Sequence, residues 1–143
     1  MQLIKAFAWG SLLAASMVAS AHAACTSASL NGAYGFQEEG QFIAAGYPQF
    51  RSVGTITFDG HGNGSRTGTI WYGGSPMFIA PGDTNPISYS VNSDCTFTYT
   101  YLTSGEIFSG VIVTGGMKLL WLEANPGGDP MRTGQAERIR SAQ

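Results

Sequence analysis

The chain has 143 residues, seven basic and nine acidic side chains, a formal net charge of −2 and only 11% charged residues. That length suits one domain with one core. It carries no clustered basic patch of the kind that marks a nucleic-acid surface, and the late arginines Arg132, Arg138 and Arg140 read as a solvated final strand and tail.

Residues 1–5 hold a single positive charge, Lys5. Residues 7–19 are uncharged and rich in Ala, Leu, Met and Val, and Ala21-His22-Ala23 closes the run with small residues. This is the order of a secretory signal peptide, with cleavage expected between Ala23 and Ala24. The apolar run is too short for a spanning helix, which needs about 20 residues. The expectation is therefore a leader over residues 1–23, a single domain over residues 24–143, and a periplasmic or secreted destination with no membrane span after cleavage. Loss of Lys5 leaves six basic residues against the nine acidic ones, a formal charge of about −3.

Cys25 and Cys95 both lie in the exported part. An even count in an oxidising compartment points to a disulfide. It would close a loop of about 70 residues, worth roughly 4 kcal/mol on the chain-entropy model. Lipidation of Cys25 is disfavoured because His22-Ala23-Ala24 lacks the branched apolar residue of a lipoprotein signal. A reactive thiol is disfavoured because, once the leader is gone, neither cysteine has a histidine or basic residue near it in sequence.

Beyond the leader no 3.6 period persists. Short runs of β-branched and aromatic residues alternate with Gly, Pro, Asn and Asp clusters, the signature of antiparallel strands and tight turns. Strands are predicted over 33–39, 42–46, 50–58, 65–72, 76–79, 87–91, 96–102, 106–113, 117–124 and 131–139, of which eight or nine are expected to form. Asp59-Gly60, Gly62-Asn63-Gly64 and Gly115-Gly116 supply turn residues that tolerate positive φ. The short connections predict an all-β, up-and-down antiparallel meander. Closure into a barrel removes the unpaired edges; a two-sheet sandwich is the alternative.

Alternation assigns faces. Phe97, Tyr99 and Tyr101 share one face, opposite Thr96, Thr98 and Thr100; Ile87, Tyr89 and Val91 share another. The run 117–124 is apolar on both faces and either lies under a cover or meets a partner. Gly134 and Ala136 are small and in phase with Arg132 and Arg138, as a tightly curved wall or a close ligand requires.

Motifs of familiar chemistry are weak. Asp59-Gly60-His61-Gly62-Asn63-Gly64 has the opening spacing of a calcium loop, but its twelfth position is Ile70 rather than a bidentate Glu. It reads as a hairpin turn, and no metal or cofactor is expected. His61 is the one histidine after the leader and sits among glycines, a poor setting for a catalytic triad. No nucleophile elbow or phosphate loop is present. Only one of Glu38 and Glu39 can point inward. Glu123 shares a face with Leu119 and Trp121, and Glu106 opens an apolar strand. An inward Glu near Arg138 would give a polar core pair or a proton donor. Catalytic residues cannot be assigned. Tyr34, Phe36, Trp71, Tyr89, Tyr99 and Trp121, with Arg138, are the candidate lining of a cavity.

The stretches L-N-G-A-Y-G-F from Leu30, G-T-I-T-F-D-G-H-G-N from Gly54, Y-S-V-N-S-D-C-T from Tyr89 and G-Q-A-E-R from Gly134 together resemble a group of exported bacterial proteins of uncharacterised activity. More distantly the chain is similar to the calycin-type barrels, the lipocalins and the allene oxide cyclase-like barrels. The resemblance implies export and a small closed barrel, and it implies no particular reaction. The expected function is a non-catalytic barrel holding a small apolar molecule. The alternatives are an envelope or secreted interaction protein using the 117–124 strand, and a cofactor-free cyclase or isomerase.

Overall fold

The structure is a computed structural model that describes residues 24–41, 49–72, 75–78, 84–125 and 131–140, with only the backbone of Tyr72 and of 75–78. The predicted strand over 42–46 lies outside the described residues. The strands are β1 (Asn31–Gln41), β2 (Phe50–Asp59), β3 (Asn63–Tyr72), β4 (Ser75–Phe78), β5 (Asn85–Val91), β6 (Thr96–Tyr101), β7 (Ile107–Val113), β8 (Lys118–Glu123) and β9 (Met131–Arg138). Two 3-10 turns, Ser27–Ser29 and Thr114–Gly116, complete the described elements. No helix among the described residues is long and apolar enough to cross a membrane.

All pairings are antiparallel, and neighbours in space are neighbours in sequence with two exceptions. β5 pairs with the first half of β3 (Arg66 opposite Asn85), while β4 covers its second half (Ile70 opposite Met77). β9 returns to β1, with Ala136 opposite Phe36, and this seam closes an eight-stranded barrel. The barrel, and not the sandwich, is the outcome, because closure leaves no strand of the eight with a free edge along its whole length.

Strand alternation then decides what is inside. Tyr34, Phe36, Ile56, Phe58, Ile87, Tyr89, Phe97, Tyr99, Tyr101, Phe108, Leu119 and Trp121 form one buried cluster. Tyr99 stacks on Phe108 at 4.6 Å and meets Trp121 edge-on at 6.1 Å. Rings this large fit in an eight-stranded interior only where facing positions are small. A Cβ on Gly134 would lie 2.4 Å from Trp121 Cε2, and one on Gly110 would lie 2.7 Å from Phe97 Cε1. The small residues of β7 and β9 thus make room for aromatic rings.

One end of the barrel is sealed by the residues just before β1. Cys25 and Cys95 form a disulfide with Cα atoms 4.9 Å apart, and Cys25 N donates to Ser93 O at 3.3 Å. Leu30 is fully buried. Tyr89 Oη donates to Leu30 O at 2.9 Å, and Tyr34 Oη donates to Gly116 O at 2.8 Å. These bonds satisfy phenols that burial would otherwise strand. The sealed end is the floor; the opposite end, where β1, β6 and β8 finish and β2, β7 and β9 begin, is the rim.

Candidate functional site

Between the aromatic floor and the rim the interior becomes charged. Continuing the phase of Tyr34 and Phe36, β1 points Glu38 inward, and the residue is 3% exposed. Glu39 projects outward and is exposed. Arg66 rises from β3 and donates through Nη2 to Glu38 Oε2 at 2.8 Å and to Ser52 Oγ at 2.9 Å. Its guanidinium lies over the Phe36 ring at 3.9 Å and over Tyr101 at 5.4 Å, so aromatic faces stabilise the cation from the sides. Trp121 Nε1 donates to the other Glu38 oxygen at 3.2 Å.

A second constellation stands at the rim. Arg132 Nε donates to Glu123 Oε2 at 2.7 Å. Its Nη2 lies 2.5 Å from Glu106 Oε1, held by charge rather than by an aligned hydrogen bond. Glu106 Oε2 accepts from Ser104 Oγ at 3.0 Å, and Glu123 Oε1 accepts from Asn125 Nδ2. Burial works against the Arg132 charge. The Glu123 hydrogen bond and the charges of Glu106 and Glu38 outweigh it and raise its pKa.

Tyr99 links the two groups. Its pKa stands well above the usual phenol value, first because it is buried and then because of the Glu38 charge, with Arg66 and Arg132 opposing. The hydroxyl therefore stays protonated and is an O–H donor at any physiological pH. Neither Tyr99 Oη nor Tyr101 Oη has a hydrogen-bond partner among the described residues, although Tyr99 is 1% and Tyr101 2% exposed. An unmet buried hydroxyl costs about 1–3 kcal/mol. The two phenols stand beside two buried ion pairs, themselves weak contributors to stability.

Of the sequence-predicted lining, Tyr34, Phe36, Tyr89, Tyr99 and Trp121 all face the interior. Tyr34 and Tyr89 are committed to the floor, whereas Phe36, Tyr99 and Trp121 surround the charged layer. Trp71 lies outside the barrel at 44% exposure. Arg138 is exposed near the floor and donates through Nη2 to Asn31 O. The arginine that meets Glu106 and Glu123 is Arg132, six residues earlier on the same strand face. Arg132, read from the sequence as part of a solvated strand and tail, is instead buried because it pairs inward with Glu106 and Glu123; Arg66 and Ser52 are residues that sequence reasoning did not place. Glu38 was legible from its phase with Tyr34 and Phe36, but the immediate in-phase neighbours of Arg66 are Gly64 and Gly68, which carry no hydrophobic signal and leave Ile70 as the one aliphatic residue on that face of β3.

Asp59 Oδ1 accepts from His61 N at 2.7 Å and from Asn63 N at 3.0 Å, so its carboxylate closes the β2–β3 turn. No group of three metal-ligating side chains converges among the described residues. A shallow depression of about 580 Å³ opens on the wall over Gln37, Glu39, Val53 and Gln135, and its lining also includes Glu38, Ser52 and Gly134. Leu120 and Leu122, the outward residues of β8, are 41% and 55% exposed beside Val111 on β7. The chain matches no family model and no curated protein.

Proposed function

We propose that residues 24–143 form an exported, non-catalytic barrel that receives one small, largely apolar molecule between its aromatic floor and its rim. The observation that supports this reading is the pair of buried phenols, Tyr99 and Tyr101, left without partners in an aromatic interior. The intact disulfide and the A-x-A leader pattern support export, as does the resemblance to exported calycin-like barrels. Cyclase or isomerase chemistry has less support. Glu38 and Glu123 are each held by an arginine and a second donor, and Glu106 is ion-paired with Arg132 and bonded to Ser104, so each of these three carboxylates is already engaged.

Native mass spectrometry of protein isolated gently from its own periplasm or medium tests the reading. A co-purifying small molecule is the expected result. Repeated isolation without any adduct, together with no binding of single-ring probes, would overturn it. The interaction protein would then remain, resting on exposed Leu120 and Leu122.

A further inference from the structure

We infer that the molecule received by the barrel is neutral and presents a hydrogen-bond acceptor, a ketone, ester or amide oxygen, to the hydroxyls of Tyr99 and Tyr101. This rests on the binding reading above and narrows it to a ligand class.

The charged layer has few polar groups left to offer a ligand. The six oxygens of its three carboxylates are all engaged. Glu38 takes Trp121 and Arg66, Glu123 takes Asn125 and Arg132, and Glu106 takes Arg132 and Ser104. Three carboxylates against two guanidiniums repel an incoming anion at short range in a low-dielectric interior. A cation finds no carboxylate oxygen without a partner. Among the described residues the buried side-chain atoms without a hydrogen bond are the two phenol oxygens and Arg132 Nη2, whose charge Glu106 offsets at 2.5 Å; the phenols are the neutral donors, and burial holds Tyr99 protonated. A protonated hydroxyl in an apolar wall selects an acceptor. A site built to hydrogen-bond its ligand discriminates against an isostere lacking the bonding atom.

The surroundings fix the rest of the molecule. The layer is bordered by Phe36, in edge contact with Trp121 at 6.4 Å and under the Arg66 guanidinium, and by Phe108, stacked on Tyr99 with Arg132 over its ring. An eight-stranded interior accommodates side chains and at most one modest ligand. The matching body is a single planar or cyclic apolar ring.

The test uses the oxidised protein of residues 24–143 and four probes of one size: acetophenone, benzoate, benzylammonium and isopropylbenzene. Ligand-observed NMR and calorimetric titration read their dissociation constants. Acetophenone is expected to bind about tenfold more tightly than isopropylbenzene, the ratio of one neutral hydrogen bond, and benzoate more weakly than either. Tyr99→Phe and Tyr101→Phe keep the ring and remove the hydroxyl. Each is expected to lower acetophenone affinity toward that of isopropylbenzene while leaving isopropylbenzene affinity unchanged. Equal affinities for acetophenone and isopropylbenzene would overturn the inference and leave the binding reading standing. Preference for benzoate or benzylammonium, or phenylalanine variants that leave acetophenone unaffected, would do the same. Failure of all four probes to bind would remove the binding reading itself.

Discussion

Arg66 and Glu38 face each other at 2.8 Å across the β1–β2–β3 wall, with side chains 6% and 1% exposed. Removing one partner strands a buried charge, whereas removing both does not. Arg66→Met alone is expected to destabilise the domain by about 3–5 kcal/mol, and Arg66→Met with Glu38→Leu by clearly less. Urea denaturation of the two singles and the double measures the coupling; additive losses would show that the pair does not act as a unit.

Gly134 bears directly on the same layer, because its missing side chain is the seat of Trp121. A Cβ there would fall 2.4 Å from Trp121 Cε2 and 2.6 Å from Nε1. Gly134→Ala should displace the indole, break its bond to Glu38, cost about 1–3 kcal/mol and shift the tryptophan emission. Gly35→Ala is the matched control, since its Cβ would meet only Ile139 Cγ1 at 3.9 Å. An unshifted spectrum in Gly134→Ala would show that Trp121 is not seated as described.

The Cys25–Cys95 bond joins residues 70 apart, so its loss frees a long loop in the unfolded chain. Cys25→Ser with Cys95→Ser is expected to lower stability by roughly 4 kcal/mol, read as a lower urea midpoint. A free-thiol assay on the unfolded, unreduced protein should detect no thiol; detection of two would refute the bond in solution.

The tyrosines set the alkaline limit. Burial raises Tyr34, Tyr89 and, most of all, Tyr99 above the ordinary phenol value. Their folded forms hold protons that the unfolded chain releases near pH 10. The resulting stability is complete below about pH 10 and is lost as pH rises toward the folded values. Phenolate absorbance should therefore appear in part as one cooperative step that coincides with unfolding, and Tyr99→Phe should move that step upward. Smooth titration of every tyrosine before unfolding would contradict the burial.

At acid pH the sign reverses. Backbone amides of Asn63 and His61 hold Asp59 below its usual value, and the Thr96 hydroxyl and amide do the same for Asp94. The stability they lend is present above about pH 3.9 and fades as pH falls through the lowered values. Asp59→Asn with Asp94→Asn should flatten the acid limb of a stability–pH curve.

Much of the architecture was legible from strand-length runs and turn chemistry. The run 50–58 appears as Phe50–Asp59, 96–102 as Thr96–Tyr101, and 131–139 as Met131–Arg138. The alternation in β6 also named the buried rings correctly, because a period of two requires no knowledge of partners. The charged layer was not legible in the same way. Arg66 meets Glu38 from 28 residues away and Trp121 meets it from 83, and such pairings depend on register between strands. Arg132 and Arg138 share a phase and differ only in height along the barrel axis, which alternation does not report.

The seam between β1 and β9 joins the first strand to the last, with Tyr34 opposite Arg138. A ribosome delivers the amino end first, so β1 emerges with one of its two neighbours absent for most of synthesis. Its hydrogen-bonding edge stays open until the final strand arrives. The Cys25–Cys95 bond joins the segment before β1 to the start of β6 and so ties the floor together without β7, β8 or β9. Barrel closure thus depends on the most non-local strand pairing in the fold, the kind that makes folding slow.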